Sequence, residues 1–262
     1  PGDVVMRVAG PTRGLLTAER TALNFASHLS GIATATSHWV AALEGTTAKV
    51  LDTRKTLPGF RALQKYAVRC GGGVNHRFSL SDLAMVTDIH VVAAGGVVPA
   101  LEAVRAAYPD LPVEVEVTDL DQLRDLLAAG CTQILLDNMS DETMAEAVRI
   151  TADSGVDATL EASGGLTLER ASAVARTGVD FISVGALTHS VVVFDLGFDF
   201  DTASNVLTFN LGLVKSFSED AELDFSDGLP LGELGTIELT AAASATFSID
   251  LTLALTVGIS LA

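Results

Sequence analysis

Cysteine is nearly absent from the 262 residues, with Cys70 and Cys131 as the pair. Two thiols cannot build a disulfide framework, which excludes the small stapled secreted scaffolds and points to a reducing compartment. Both are expected as buried small apolar residues rather than nucleophiles. No apolar run is long enough to cross a bilayer and no signal-peptide pattern is visible, so no membrane association is expected and the expected location is cytoplasmic. The sequence opens at Pro1-Gly2-Asp3 without an initiator Met, and further residues are expected upstream. No Gly-x-Gly-x-x-Gly follows a strand-like run, which argues against a dinucleotide crevice. Positive charge is scarce as well. Sixteen Lys and Arg face 33 Asp and Glu, a net charge of −17, and this disfavours nucleic acid as a partner.

What is present is apolar bulk in a regular rhythm. With 48% hydrophobic residues, the chain can hold one large α/β domain, or a domain of about 200 residues with an appendage. Residues 17–43 show helical apolar periodicity through Leu23, Phe25, Leu29, Ile32 and Trp39, with Thr17 as the expected N-cap and a possible break at Ser30-Gly31. Strand-length apolar runs follow at Lys49–Asp52, Ala84–Thr87, Val113–Val117, Gln133–Asp137, Ala158–Glu161 and Phe181–Gly185. Helical patterns separate them at Pro58–Arg69, Val98–Ala107, Asp121–Ala129, Asp141–Ala152 and Leu168–Arg176. This alternation predicts parallel βαβ units whose strands are buried on both faces. A closed barrel and an open doubly wound sheet both satisfy it, and polar residues gathered at the C-terminal strand ends favour a barrel with one active rim.

The composition changes near residue 200. From Phe247 to Leu261 every second residue is large and apolar, and Leu207, Phe209, Leu211 and Leu213 repeat the pattern more briefly. Lys215 is the one basic residue against nine acids in residues 201–262, and the segment reads as an acidic β-rich tail.

The scarce cations are concentrated. Residues 1–77 carry ten Lys and Arg against four Asp and Glu. Arg54 and Lys55 stand side by side where an apolar run ends, an arrangement that repulsion and desolvation make costly unless an anion meets it. The other strand ends supply Asp88 and His90, Glu114 and Glu116, Asp137-Asn138, Ser163-Gly164-Gly165, and Gly185-Ala186-Leu187-Thr188-His189. His76-Arg77 follows the triple glycine 71–73. Singly, each has an ordinary structural explanation as a turn, a helix cap or a solvated face. Their shared position predicts a rim for a small, highly anionic substrate, with Gly-rich turns offering N–H groups to a phosphate.

These motifs resemble the quinolinate phosphoribosyltransferase family over residues 3 to 200. The stretches that carry the resemblance are Asp-Thr-Arg-Lys-Thr-Leu-Pro-Gly (52–59), Leu-Gln-Lys-Tyr-Ala-Val (63–68), Gly-Gly-Gly-Val-Asn-His-Arg (71–77), Leu-Leu-Asp-Asn (135–138), Glu-Ala-Ser-Gly-Gly (161–165) and Val-Gly-Ala-Leu-Thr-His-Ser (184–190). The resemblance implies an open β/α barrel of the type II phosphoribosyltransferase kind, with the N-terminal sandwich domain largely missing. On that reading residues 1–44 are its remnant and a linking helix, 45–200 the catalytic barrel, and 201–262 the all-β tail. The implied reaction joins quinolinate to phosphoribosyl pyrophosphate, releasing CO2 and pyrophosphate and giving nicotinate mononucleotide for NAD biosynthesis, in a homodimer with shared sites.

By the same resemblance, Thr53, Arg54, His76 and Arg77 hold the two quinolinate carboxylates, joined by Arg20 of the partner subunit. Lys55 meets the phosphoribosyl donor. Glu116 and Asp137 face the ribose hydroxyls and Mg2+, directly or through water or substrate. Ser163, Gly164, Gly165, Gly185, Ala186, Leu187 and His189 cradle the 5′-phosphate. Where the family reads Ile-Lys-Asp-Asn-His, this chain has Val86-Thr87-Asp88-Ile89-His90, so a cation and an amide are replaced by uncharged residues. Two other readings stay open. One is a non-catalytic barrel descendant or chimera acting as a binding or structural module. The other is a related transferase for a different aromatic acid.

Overall fold

The computed structural model describes residues 4–201 and 206–211, and the short pieces 229–230, 236–237 and 252–253. The chain divides into two units, one formed by residues 1–28 and 193–262 and the other by residues 29–192. Helix α1 (Thr12–Ala42) passes from the first into the second. It begins behind Pro11, whose fixed φ and missing N–H suit a helix start. Thr17 therefore does not cap it. Its hydroxyl donates to the Arg13 carbonyl at 2.7 Å, one turn back inside the helix.

Ser30-Gly31 does not break α1 either. Glycine is there because a Cβ at position 31 would lie 2.2 Å from the Val192 carbonyl oxygen. Alanine normally favours a helix by up to about 1 kcal/mol over glycine, but here the backbone of Val192 would have to move. Gly31→Ala is expected to lower stability by about 2 kcal/mol, a clear drop in Tm by thermal denaturation.

The first unit holds a sheet in the order β12-β1-β9-β8. Its strands are β1 (Val4–Val8), β8 (Leu196–Asp201), β9 (Val206–Leu211) and β12 (Thr252–Leu253). β9 is antiparallel to both β1 and β8, and β12 is parallel to β1. Val8, Leu23 and Leu196 form a small core, with Leu15, Phe194 and Phe198 packed on it. The alternation at Leu207–Leu211 thus forms a strand, and a two-stranded pair, β10 (Leu229–Pro230) and β11 (Thr236–Ile237), follows it. The alternating stretch 247–261 lies outside the described residues, apart from Thr252 and Leu253.

The second unit is a six-stranded, all-parallel sheet in the order β2-β7-β6-β5-β4-β3. The strands are β2 (Lys49–Leu51), β3 (Ala84–Val86), β4 (Val113–Val117), β5 (Gln133–Asp137), β6 (Thr159–Ser163) and β7 (Phe181–Ser183). Helices α2 (Arg61–Cys70), α3 (Asp88–Ala94), α4 (Val97–Ala107), α5 (Leu120–Ala128), α6 (Asp141–Ser154), α7 (Leu168–Ala175) and α8 (Ala186–His189) fall between and after them. Val50, Val115, Ile134, Leu160 and Ile182 are fully buried from strand after strand, so the apolar runs are the core.

The order sets the first strand beside the last and leaves β2 and β3 as the two edges, which is an open barrel. The segment after the triple glycine runs along one edge and reaches the other. Val74 makes a single parallel bridge to Leu51 of β2, and Arg77 Nη1 donates to the Leu83 carbonyl just before β3 at 2.7 Å. Asn75, His76 and Arg77 are thereby delivered to the opening. Cys131 is buried as expected, but Cys70 at the end of α2 is exposed, because the helix ends there against solvent. Among the described residues no single helix is long and apolar enough to cross a membrane.

Candidate active site

The C-terminal end of β2 turns at once into Asp52-Thr53-Arg54-Lys55. Thr53 Oγ1 accepts the Lys55 N–H at 3.1 Å, which sets the turn. Arg54 is half-buried, and its Nε is buried with no hydrogen-bond partner among the described residues. Arg77 is half-buried nearby. Burial and then the charge of Arg54 push its guanidinium below the ordinary arginine range, with Glu114 and Asp82 opposing. Both arginines line a cavity of about 1250 Å3, together with Thr87 and His90 and an apolar wall from α3 and α4. A buried guanidinium N–H beside a second half-buried guanidinium is an arrangement that an anion would favour.

His76 sits differently from the expectation of a carboxylate clamp. Its Nε2 lies 3.0 Å from Glu114 and 3.3 Å from Glu161, and its Nδ1 accepts the Arg77 N–H at 2.7 Å. Both ring nitrogens are used within the protein. Glu161 in turn accepts a hydrogen bond from Ser183. Burial alone would lower the imidazole pKa, but the hydrogen bonds and charges of the two glutamates outweigh it and hold it at about 10. Burial also pushes the Glu114 carboxyl up, helped by the neighbouring Glu161 charge. The ring is thus engaged by the protein on both sides, Nε2 facing the two carboxylates and Nδ1 facing the Arg77 backbone N–H. The three groups also have metal-ligand spacing. The cluster ties β4 and β6 to the loop and fixes the backbone of Arg77.

The carboxylates expected at the sugar come together. Glu116 lies on β4 and Asp137 at the end of the adjacent strand β5, close enough for the charge of Asp137 to act on Glu116. Burial first, then the charges of Asp137 and Asp88, raise Glu116 to about 7, and Lys55 partly opposes them. Asp137 also accepts from Asn138 Nδ2 at 2.7 Å, and it stands beside Ser163 of β6 in register. The unfolded carboxyl ionises near 4.5, so Glu116 costs stability increasingly as pH rises from that value through about 7. Glu116→Gln is expected to raise the Tm at pH 8 and leave it unchanged at pH 4. The gain is up to about 1 kcal/mol once screening of a half-exposed group is allowed for.

The turn after β6 needs its glycines. Gly164 has φ +86° and Gly165 +57°, and a Cβ on Gly164 would lie 2.4 Å from Asn138 Oδ1. After β7, a Cβ on Gly185 would lie 3.2 Å from Lys55 Cδ and 3.2 Å from the His189 ring, so these two side chains converge over that glycine. Ala186 is exposed. Leu187 departs from expectation: its side chain is buried in the core, which leaves only its backbone for a ligand. Thr188, named with this strand end but given no ligand role, donates to the Lys55 carbonyl at 2.8 Å. Arg20 belongs to the other unit, on an exposed stretch of α1, 3.8 Å from Glu19.

A model of the quinolinate phosphoribosyl transferase C-terminal domain matches residues 32–199, and one of the N-terminal domain matches residues 1–30. The chain belongs to the quinolinate phosphoribosyltransferase family. It is 57% identical over 198 residues to the nicotinate-nucleotide pyrophosphorylase [carboxylating] of Mycobacterium leprae, covering 76% of this chain and 70% of that one. The human protein of the same name is 41% identical over 194 residues, covering 73% and 65%. The solved structure of the nicotinate-nucleotide pyrophosphorylase from Francisella tularensis superposes with a TM-score of 0.68 at 44% identity, covering 76% of this chain and 67% of that chain. NadC from Streptococcus pyogenes gives 0.67 at 45% identity, covering 71% and 65%. The chain therefore spans about two thirds of the length of these phosphoribosyltransferase relatives.

Sequence reasoning missed the residues beneath the phosphoribosyltransferase rim. Asp52, Gln64, Lys65 and Asn75 form hydrogen bonds that hold it. The available signal was two adjacent polar residues on the apolar face of α2, where Ala67 and Val68 are core.

Proposed function

We propose that this chain transfers the phosphoribosyl group of phosphoribosyl pyrophosphate to quinolinate with loss of the 2-carboxylate, giving nicotinate mononucleotide, CO2 and pyrophosphate. The observation that carries the proposal is the Arg54–Arg77 pair, one with an unpartnered buried Nε and the other depressed by burial and by its neighbour. A planar diacid supplies two carboxylates that guanidinium forks pair with well. The family relatives named for this reaction support it.

On this reading Arg54 and Arg77 fix the two carboxylates and thereby aim the ring nitrogen at the sugar. Nitrogen forms the bond to C1′ as the C1′–O bond to pyrophosphate breaks, the electron pair leaving with the oxygen. Glu116 and Asp137 face the carbon that gains positive charge and hold the ribose hydroxyls, and Lys55 with His189 and the Gly164–Gly165 and Gly185 turns holds the phosphates. The ring, now cationic, accepts the electron pair of the C2–carboxylate bond, and C2 takes a proton from solvent. Glu116 and Asp137 are hard oxygen donors that fit Mg2+ together with substrate oxygens, and they would hold it. When bound it would supply positive charge against the pyrophosphate. We further place Arg20 of the partner subunit in the acid site of a cytoplasmic homodimer.

Incubating the protein with quinolinate, phosphoribosyl pyrophosphate and Mg2+ should yield nicotinate mononucleotide. The second reading, a barrel that kept its shape and lost its chemistry, is favoured by Thr87, which leaves the cavity without a third cation. That reading predicts no product and no rise in Tm with quinolinate. A rise with nicotinate instead points to a transferase for another aromatic acid.

A further inference from the structure

Helix α2 carries two polar side chains where an amphipathic helix puts its core face. Gln64 and Lys65 are both fully buried. Burying an ammonium or an amide is unfavourable unless partners replace the lost water, so the identity of those partners is informative. Lys65 Nζ pairs with Asp52, equally buried, and donates to the His76 carbonyl at 2.9 Å. Asp52 also accepts the His76 N–H at 2.9 Å and Asn75 Nδ2 at 2.5 Å. The pair thus ties the strand end that carries Arg54 to the loop that carries Arg77. Gln64 reaches the other way. Its Nε2 donates to the Thr188 carbonyl at 3.0 Å, and its Oε1 accepts the Leu57 N–H at 2.8 Å. Thr188 Oγ1 donates to the Lys55 carbonyl. Gln64 thus ties the turn that carries Lys55 to the segment that carries Gly185 and His189.

A buried pair that merely stiffened the barrel would weaken every function alike when removed. The bonds described above have no partner in common: those of Lys65 join Asp52 to the His76 loop, and those of Gln64 join the 55–57 turn to Thr188. We infer that Lys65 and Gln64 are positioning residues with separate duties. Lys65, through Asp52, sets the spacing of the two guanidinium groups and so the fit of the diacid. Gln64 sets Lys55 against the Gly185 turn and so the fit of the phosphorylated donor. This division rests on the transferase reading above.

The experiment is calorimetry on the full chain with quinolinate alone and with phosphoribosyl pyrophosphate plus Mg2+, alongside the KM of each substrate and kcat. The uncharged pair Asp52→Asn with Lys65→Met should weaken quinolinate roughly tenfold and leave the donor within about twofold. Gln64→Leu should do the reverse by a similar factor. If the double variant does not fold, Asn75→Ala replaces it, since it frees the same loop and leaves the buried charges paired. Unaltered protein that binds neither ligand overturns the transferase reading. Unaltered protein that binds both, with either variant losing both equally or neither, overturns the division.

Discussion

Replacing Arg77 by alanine is expected to weaken quinolinate binding by about 10²-fold, close to 3 kcal/mol, while phosphoribosyl pyrophosphate binds as before. The asymmetry follows from where the side chain stands. Arg77 reaches the cavity beside Arg54, and burial and that neighbour both disfavour its charge. In the absence of an anion it is a strained group, so its removal should cost the empty protein little. The loss of the bond to the Leu83 carbonyl is offset by relief of repulsion with Arg54. With the diacid present, one carboxylate loses its fork and stays partly desolvated, and that is the larger effect. Calorimetry with each ligand, together with a Tm of the unliganded variant, separates these terms. Equal loss of both ligands would remove Arg77 from the acid site.

The barrel was legible because its strands are buried on both faces and are therefore apolar throughout. Val113–Val117 and Gln133–Asp137 were bounded correctly from their runs alone. Two helices left no such trace. α3 buries none of its residues, and α8, although Leu187 is core, is a single turn of four, too short to show a helical period. The start of α1 was misplaced because a threonine at a plausible cap position carries no mark that distinguishes it from one bonded inside a helix, as Thr17 is.

For the candidate site, strand-end position singles out Arg54, Lys55, Glu116, Asp137 and the glycine turns. It could not tell depth. Glu114 and Glu116 alternate onto the same side of β4, yet Glu114 is buried against His76 while Glu116 is half-exposed beside Asp137. Two residues along a strand, about 7 Å, separate the buried His76 cluster from the half-exposed Glu116–Asp137 pair. The family resemblance assigns His76 to the ligand, and sequence does not show which of its nitrogens remains free. Here neither does.

Thr87→Lys is the other large effect, and it should be a gain. Thr87 lines the cavity with both arginines and contributes no charge. Its hydroxyl lies 2.9 Å from His90 Nδ1, and its N–H donates to the same nitrogen at 3.0 Å, a cap on α3. Lysine would sacrifice that hydroxyl, at about 1 kcal/mol, on a helix that buries nothing. It would also add a third cation to a pocket that already holds two, so the unliganded variant should melt lower. The same charge meets a dianion when substrate binds, and a preorganised cation where negative charge must be held is worth a few kcal/mol. Product formation should therefore rise by about 10²-fold in kcat/KM, with a lower Tm for the empty protein and a larger upward shift on adding quinolinate. A variant that melts lower and shows no gain in turnover would mean that Thr87 does not limit activity, leaving the N-terminal portion or Ile89, 67% exposed two residues on, as the limit.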